Sequence, residues 1–160
     1  MKDCEGELGM ENKILAPCSG EVVKLSSVND EVFSEGILGD GFAIIPVGND
    51  FVCPCSGKIV EAFEGGHAYI LRNKDNLDIL VHIGLDTVEL EGKCFTTFVS
   101  LGDTVTAGDK LVCVEVDEII KSGYDPVTVV VLTEESVISE KTVKYGKVKA
   151  GDVVCEYNLK

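Results

Sequence analysis

The chain carries two histidines, His67 and His82, separated by a polar run between two apolar ones. The order is His67-Ala-Tyr-Ile-Leu-Arg72, then Asn73-Lys-Asp-Asn76, then Leu77-Asp-Ile-Leu-Val-His82. Asn and Asp clustered between β-leaning runs signal a hairpin, because their side chains satisfy turn backbone locally. A turn centred between Lys74 and Asp75 places His67 directly across from His82, with Cβ atoms ~5 Å apart on one sheet face. In that register His67, Tyr69, Leu71, Asp78, Leu80 and His82 share a face, while Ala68, Ile70, Ile79 and Val81 form the core face. A free imidazole, with pKa ~6.5, is largely neutral at pH 7 and can attack phosphorus, and a second imidazole held close can hydrogen-bond the incoming group. Three readings stay open: a nucleophilic pair, a zinc site, or two structural histidines at an edge and a surface. Zinc takes three or four protein ligands, and Cys53, Cys55, Asp78 and Asp86 do not space as a set with the histidines. No G-x-x-x-x-G-K-[ST] loop is present, so a nucleophilic histidine would draw phosphorus from a protein donor rather than from bound ATP.

Composition narrows the setting. The 160 residues fit one domain with its own core, and Val, Ile, Leu, Thr and Gly lean towards β structure. Acidic residues outnumber basic ones 28 to 14, a formal net charge of −14. That field repels nucleic acid and anionic membrane and favours a basic protein partner. Apolar runs such as 79–83 and 127–132 are far shorter than the ~20 residues of a membrane span. No basic-then-apolar signal opens the chain, so a cytoplasmic protein is expected. Seven cysteines in no framework spacing read as reduced core fillers.

Residues 1–12 read as a loose leader and 13–160 as a single domain. Turn residues punctuate short β-like runs at 21–25, 42–47, 58–63, 67–72, 77–83, 93–98, 111–116, 127–132 and 153–157. One short helix is expected at about Val116–Lys121, closed by Gly123. Two echoes recur: Ala16-Pro-Cys-Ser-Gly20 with Cys53-Pro-Cys-Ser-Gly57, and Val105-Thr-Ala-Gly-Asp109 with Val148-Lys-Ala-Gly-Asp152. They predict pseudo-symmetric hairpins in two packed layers, hence an all-β, antiparallel sandwich or barrel-like fold with only short helical turns.

Leu80-Val-His82-Ile-Gly84-Leu-Asp86-Thr87-Val-Glu-Leu90 resembles the active-site signature of the glucose-family IIA component of the bacterial phosphoenolpyruvate-dependent sugar phosphotransferase system. Ile14-Leu-Ala-Pro-Cys-Ser-Gly20 resembles that family's opening strand and turn, and Asp30-Glu-Val-Phe33 with Gly39-Asp-Gly41-Phe-Ala-Ile-Ile-Pro46 its next block. Gly66-His67-Ala68 resembles its upstream histidine, 15 residues before His82. The likeness covers about residues 12–158. It implies that His82 is phosphorylated through Nε2 and that His67 stabilises the phosphoryl group. It also implies a turn at Gly84 where the missing Cβ permits close approach of a partner or unusual φ/ψ, acidic partner contacts at Asp30 and Asp86, and an apolar docking rim of Val32, Phe33, Phe63, Leu80 and Val88. The implied partners are the histidine phosphocarrier protein and a sugar-specific IIB domain of a membrane permease on another polypeptide. No cofactor is implied, beyond room for zinc held by both histidines and a partner's carboxylate. Gly65 stands where the family often has threonine, and Asn76 where it usually has glycine.

Other classes fit less well. A biotinyl or lipoyl carrier needs a lysine at a hairpin tip beside Met, and the one Met-Lys pair is Met1-Lys2. A zinc peptidase on a related layout needs a third histidine. A non-catalytic regulatory binding module of the same fold remains the alternative.

Overall fold

The computed structural model describes residues 12–160; the expected leader, apart from Asn12, lies outside the described residues. In chain order the strands are β1 Lys13–Leu15, β2 Gly20–Lys24, β3 Asp40–Pro46, β4 Asp50–Val52, β5 Gly57–Ala62, β6 Ala68–Arg72, β7 Asp78–Ile83, β8 Phe95–Thr97, β9 Thr104–Val105, β10 Lys110–Val114, β11 Thr128–Leu132, β12 Ile138–Val143, β13 Gly146–Val148 and β14 Val153–Leu159. Two short α-helices join them, α1 at Glu31–Ser34 and α2 at Val116–Lys121. Every strand pairing is antiparallel. The all-β sandwich and the 116–121 helix are therefore as expected.

An eight-stranded sheet runs in the order β13-β2-β3-β11-β7-β6-β5-β9, and two three-stranded sheets, β1-β14-β12 and β4-β10-β8, complete the fold. The large sheet is palindromic about the β11–β7 pair: β3 answers β6, β2 answers β5, and β13 answers β9. The sequence echoes are the joints of this pseudo-symmetry. Ser19 Oγ accepts from the Ala150 amide and Ser56 Oγ from the Ala107 amide, each at 2.9 Å. Asp109 and Asp152 each cap their own turn, at Thr106 and Lys149.

A main core fills the space between the sheets, with Phe42, Ile44, Tyr69, Leu71, Ile79, Val81, Val130 and Leu132 among its members. A smaller cluster covers the outer face of the same central strands: Leu25, Val28, Phe33, Ala43, Leu80, Leu85, Val127, Val129 and Val131. Burial on both faces explains why Thr128-Val-Val-Val-Leu132 is buried throughout and reads as a continuous apolar run.

The β6–β7 register differs from the sequence expectation by one residue. Ala68, not His67, faces His82, and Arg72 faces Asp78. The reason is an odd-length connection. The Asn76 amide donates to the Asn73 carbonyl, Asn76 is left-handed at φ 59°, and Asn73 Oδ1 accepts from the Asp75 and Leu77 amides. One extra residue reverses which side chains face the core. Tyr69 and Leu71 thus join Ile79 and Val81 inside, while Ala68 and Ile70 share the outer face with Leu80 and His82.

Asn73 is buried, and its Nδ2 donates to the Tyr157 hydroxyl at 2.8 Å, which in turn donates to Asp75 at 2.9 Å. The hairpin turn is thereby tied to β14. Tyr157→Phe leaves the amide without this acceptor, and urea unfolding is expected to show a loss of about 1–3 kcal/mol. An unchanged midpoint would show the tether to be idle.

Candidate functional site

His82 projects from β7 onto the outer face, between Ala68 on β6 and Val129 on β11. What covers that face is the long connection between β2 and β3. Its counterpart between β5 and β6 is only a tight turn, so the covering segment breaks the pseudo-symmetry. Asp30 starts α1 by accepting the Val32 amide at 3.0 Å, a side-chain N-cap. The cap sets the helix so that the Phe33 ring lies 5.1 Å from the His82 ring, tilted by 54°.

The turn after β7 fixes the other side of the imidazole. The Gly84 amide donates to the Val127 carbonyl at 2.8 Å and the Leu85 amide to the Asp125 carbonyl at 2.9 Å. Thr87 Oγ1 donates to the Ile83 carbonyl at 2.5 Å. Gly84 is left-handed at φ 82°, and a Cβ there would sit 2.4 Å from Thr87 Cγ2. The turn presents the Gly84 carbonyl to His82 Nδ1 at 2.9 Å. A carbonyl only accepts, so Nδ1 carries the proton and Nε2 keeps its lone pair.

His67 precedes β6, where Gly65 and Gly66 take φ of 99° and 84°. These left-handed steps, open to glycine without steric penalty, turn the chain off the strand and bring the His67 side chain to the His82 face. The two rings stand edge to face, centroids 5.6 Å apart and planes at 78°. Phe63 meets His67 edge-on at 6.0 Å. The histidines converge, although they are not cross-strand partners. Gly65 stands close to His67: a Cβ there would lie 3.6 Å from its Nδ1.

Burial pushes the pKa of both imidazoles below the ordinary value, and for His82 the neighbouring His67 adds to the effect. The Gly84 carbonyl, Asp30 and Asp86 oppose that shift at His82 by favouring its charged form. Both rings are therefore neutral at pH 7. Two imidazoles offer fewer ligands than zinc takes, and among the described residues no three His, Cys, Asp or Glu side chains group to hold a metal. Of the cysteines, Cys18, Cys53, Cys55 and Cys155 are buried, with thiols raised to about 12, which leaves them unreactive at neutral pH.

The expected rim residues divide by depth. Val32, Phe63 and Val88 are exposed, whereas Phe33 and Leu80 are only 6% and 7% exposed and form the floor beneath them. Asp30 is half-buried at its cap, and Asp86 is exposed in a left-handed conformation, its side chain making no cap hydrogen bond. Thr87 and Asp125 escaped sequence reasoning. Thr87 was legible as the hydroxyl five residues after His82, but Asp125 approaches only through the tertiary fold.

Sandwich and paired imidazoles together define the class. The chain belongs to the EIIA 1 family of the phosphoenolpyruvate-dependent sugar phosphotransferase system, which it matches over residues 12–138. Within that system it is a phosphoryl carrier, and so a phosphotransferase component. It is 47% identical over 142 residues to the glucose-specific EIIA component of Mycoplasma capricolum, covering 89% of this chain and 92% of that one. It is 42% identical to the β-glucoside-specific EIIBCA component of Bacillus subtilis, of which it spans 23%. The solved glucose permease IIA from Mycoplasma capricolum superposes with a TM-score of 0.83 at 46% identity, over 89% of this chain and 93% of that one. No helix among the described residues is long and apolar enough to cross a membrane.

Two outcomes follow from the geometry. Because both histidines titrate below their unfolded value, the unfolded chain binds more protons as pH falls below ~6.5, and stability falls with it. Urea unfolding from pH 7.5 to 5.5 should show a shallower decline for His82→Gln than for the parent; equal slopes would contradict the shift. Gly84→Ala should lose about 1–3 kcal/mol through its clash with Thr87 and its left-handed backbone, read by the same unfolding curves.

Proposed function

We propose that His82 is the residue that carries the phosphoryl group. The observation that supports this most directly is the Nδ1 contact to the Gly84 carbonyl, which leaves Nε2 as the free nucleophile beside a second neutral imidazole. In loading, the Nε2 lone pair attacks phosphorus on the phosphorylated histidine phosphocarrier protein. The new Nε2–P bond forms as the donor's N–P bond breaks, and the donor nitrogen keeps the electron pair. His67, bearing a ring N–H, hydrogen-bonds a phosphoryl oxygen as charge moves through the transition state. In unloading, a thiolate of a sugar-specific IIB domain attacks, and the lone pair returns to Nε2. The EIIBCA and EIICBA relatives join a IIA unit to IIB in one chain, which supports IIB as acceptor.

Docking uses the surface around the imidazoles. Val32, Phe63 and Val88 provide apolar contact over the Phe33 and Leu80 floor, and Asp30 and Asp86 meet basic residues of the partner. Such a surface acts from solution, so a cytoplasmic location fits the reading. The reaction itself needs no metal; zinc on both histidines would require a further ligand from a bound partner.

The test supplies the general phosphotransferase enzyme, the phosphocarrier protein and labelled phosphoenolpyruvate. An acid-labile, base-stable label is expected on the parent and absent from His82→Ala. His67→Ala should accept label but pass it on about 10²- to 10³-fold more slowly, the usual effect of removing a transition-state donor. A parent chain that takes no label would overturn the proposal in favour of a binding module.

A further inference from the structure

The segment Asp125-Pro126-Val127 leads into β11 beside the turn after β7, and its three carbonyls are all engaged. Asp125 accepts from the Leu85 amide at 2.9 Å, Pro126 from Thr128 Oγ1 at 3.2 Å, and Val127 from the Gly84 amide at 2.8 Å. The Asp125 side chain closes the segment on itself: Oδ1 accepts the Val127 amide at 2.9 Å, an Asx turn. Pro126 fixes its own φ and keeps Asp125 out of helical backbone, so the side-chain bond removes the freedom that is left. The Leu85 amide and the Gly84 carbonyl belong to one peptide plane, in which N–H and C=O point opposite ways. Anchoring the amide on Asp125 therefore aims the carbonyl at His82 Nδ1, 2.9 Å away. Glycine has no side chain to resist rotation of that plane, so the aim has to come from the anchor.

We infer that Asp125 is a positioning residue for the reacting ring: its Asx turn holds the Gly84–Leu85 peptide so that the Gly84 carbonyl keeps the proton of His82 on Nδ1. The inference rests on the reading of His82 as carrier and adds to it a residue whose grip is on the turn rather than on the imidazole. If the plane rotates, Nδ1 loses its acceptor and the proton is free to sit on Nε2, which then has no lone pair for phosphorus. Asp125 is also exposed, so the competing role is that its charge attracts a basic partner. The two roles part on asparagine, which makes the same Asx turn without a charge.

The experiment records long-range proton–nitrogen NMR spectra of the full chain labelled at histidine, at mildly alkaline pH where both imidazoles are neutral. His67→Gln assigns the His82 signals. The parent should show His82 with its proton on Nδ1. Asp125→Ala should raise the ratio of the Nε2–H to the Nδ1–H form by roughly 5- to 30-fold, the weight of one hydrogen bond in an equilibrium. Loading from phosphorylated phosphocarrier protein should lose kcat in step with the remaining Nδ1–H fraction, while KM stays at the parent value. Asp125→Asn should restore both readings. Asp125→Ser, whose hydroxyl makes a weaker turn of the same kind, should fall between them and serves if the alanine variant does not fold. A parent tautomer retained in the alanine and serine variants would overturn the inference. So would an asparagine variant as impaired as alanine with a raised KM, which leaves charge-steered docking as the whole role. A parent chain that takes no phosphoryl group removes the carrier reading, while the spectra alone still decide whether Asp125 sets the tautomer.

Discussion

The hydrogen bond from His82 Nδ1 to the Gly84 carbonyl decides what the site can be. It selects one tautomer, holds one ring and leaves a single nitrogen with its lone pair free. Everything that builds the turn serves to aim that carbonyl. The Gly84 amide is held by Val127, the Leu85 amide by Asp125, and Thr87 Oγ1 closes the turn on Ile83. Only a residue without Cβ fits where Thr87 packs. The state of the His82 ring thus depends on a backbone oxygen, and the bonds around the turn hold that oxygen in place.

The site exists because the pseudo-symmetry is incomplete. The large sheet has two matching halves, yet only one offers a pair of imidazoles, on β7 and just before β6. The other half contributes the long β2–β3 connection, which crosses the outer face and lays Phe33 against His82. One half holds the His82 ring and its companion; the other supplies part of their wall and the capping Asp30. Neither half alone would exclude water from one side of the ring while leaving the other open.

Much of the fold was legible because its signals are local. Alternation marked nine strands to within a residue or two at most ends, and the echoed Pro-Cys-Ser-Gly and Ala-Gly-Asp turns announced the duplicated joints. β1, β4, β9 and β13 escaped the alternation because two or three residues hold no periodicity, and β12 because Ile138-Ser-Glu-Lys-Thr-Val143 is largely polar. α1 escaped because four residues carry no helical pattern; its order comes from the Asp30 cap and the buried Phe33. The histidine pairing shows the limit most sharply. Adjacency was legible, but the route was not, because register turned on a single buried Asn73 and on two left-handed glycines before His67. Depth was equally hidden: Phe33 and Leu80 look like surface contacts in sequence and prove to be floor.

The tie between Asn73 and Tyr157 spans 84 positions along the chain. A contact so distant costs loop-closure entropy, which the buried hydrogen bonds at its end must offset. The local bonds of Asn73 set the odd-length connection and β14 holds it in place, whereas an even one would point the opposite β6 side chains inward. What the tie governs is therefore β6: with Asn73 held against β14, Tyr69 and Leu71 turn inward, and His67 must reach the His82 face by way of the two glycines before it rather than across the ladder.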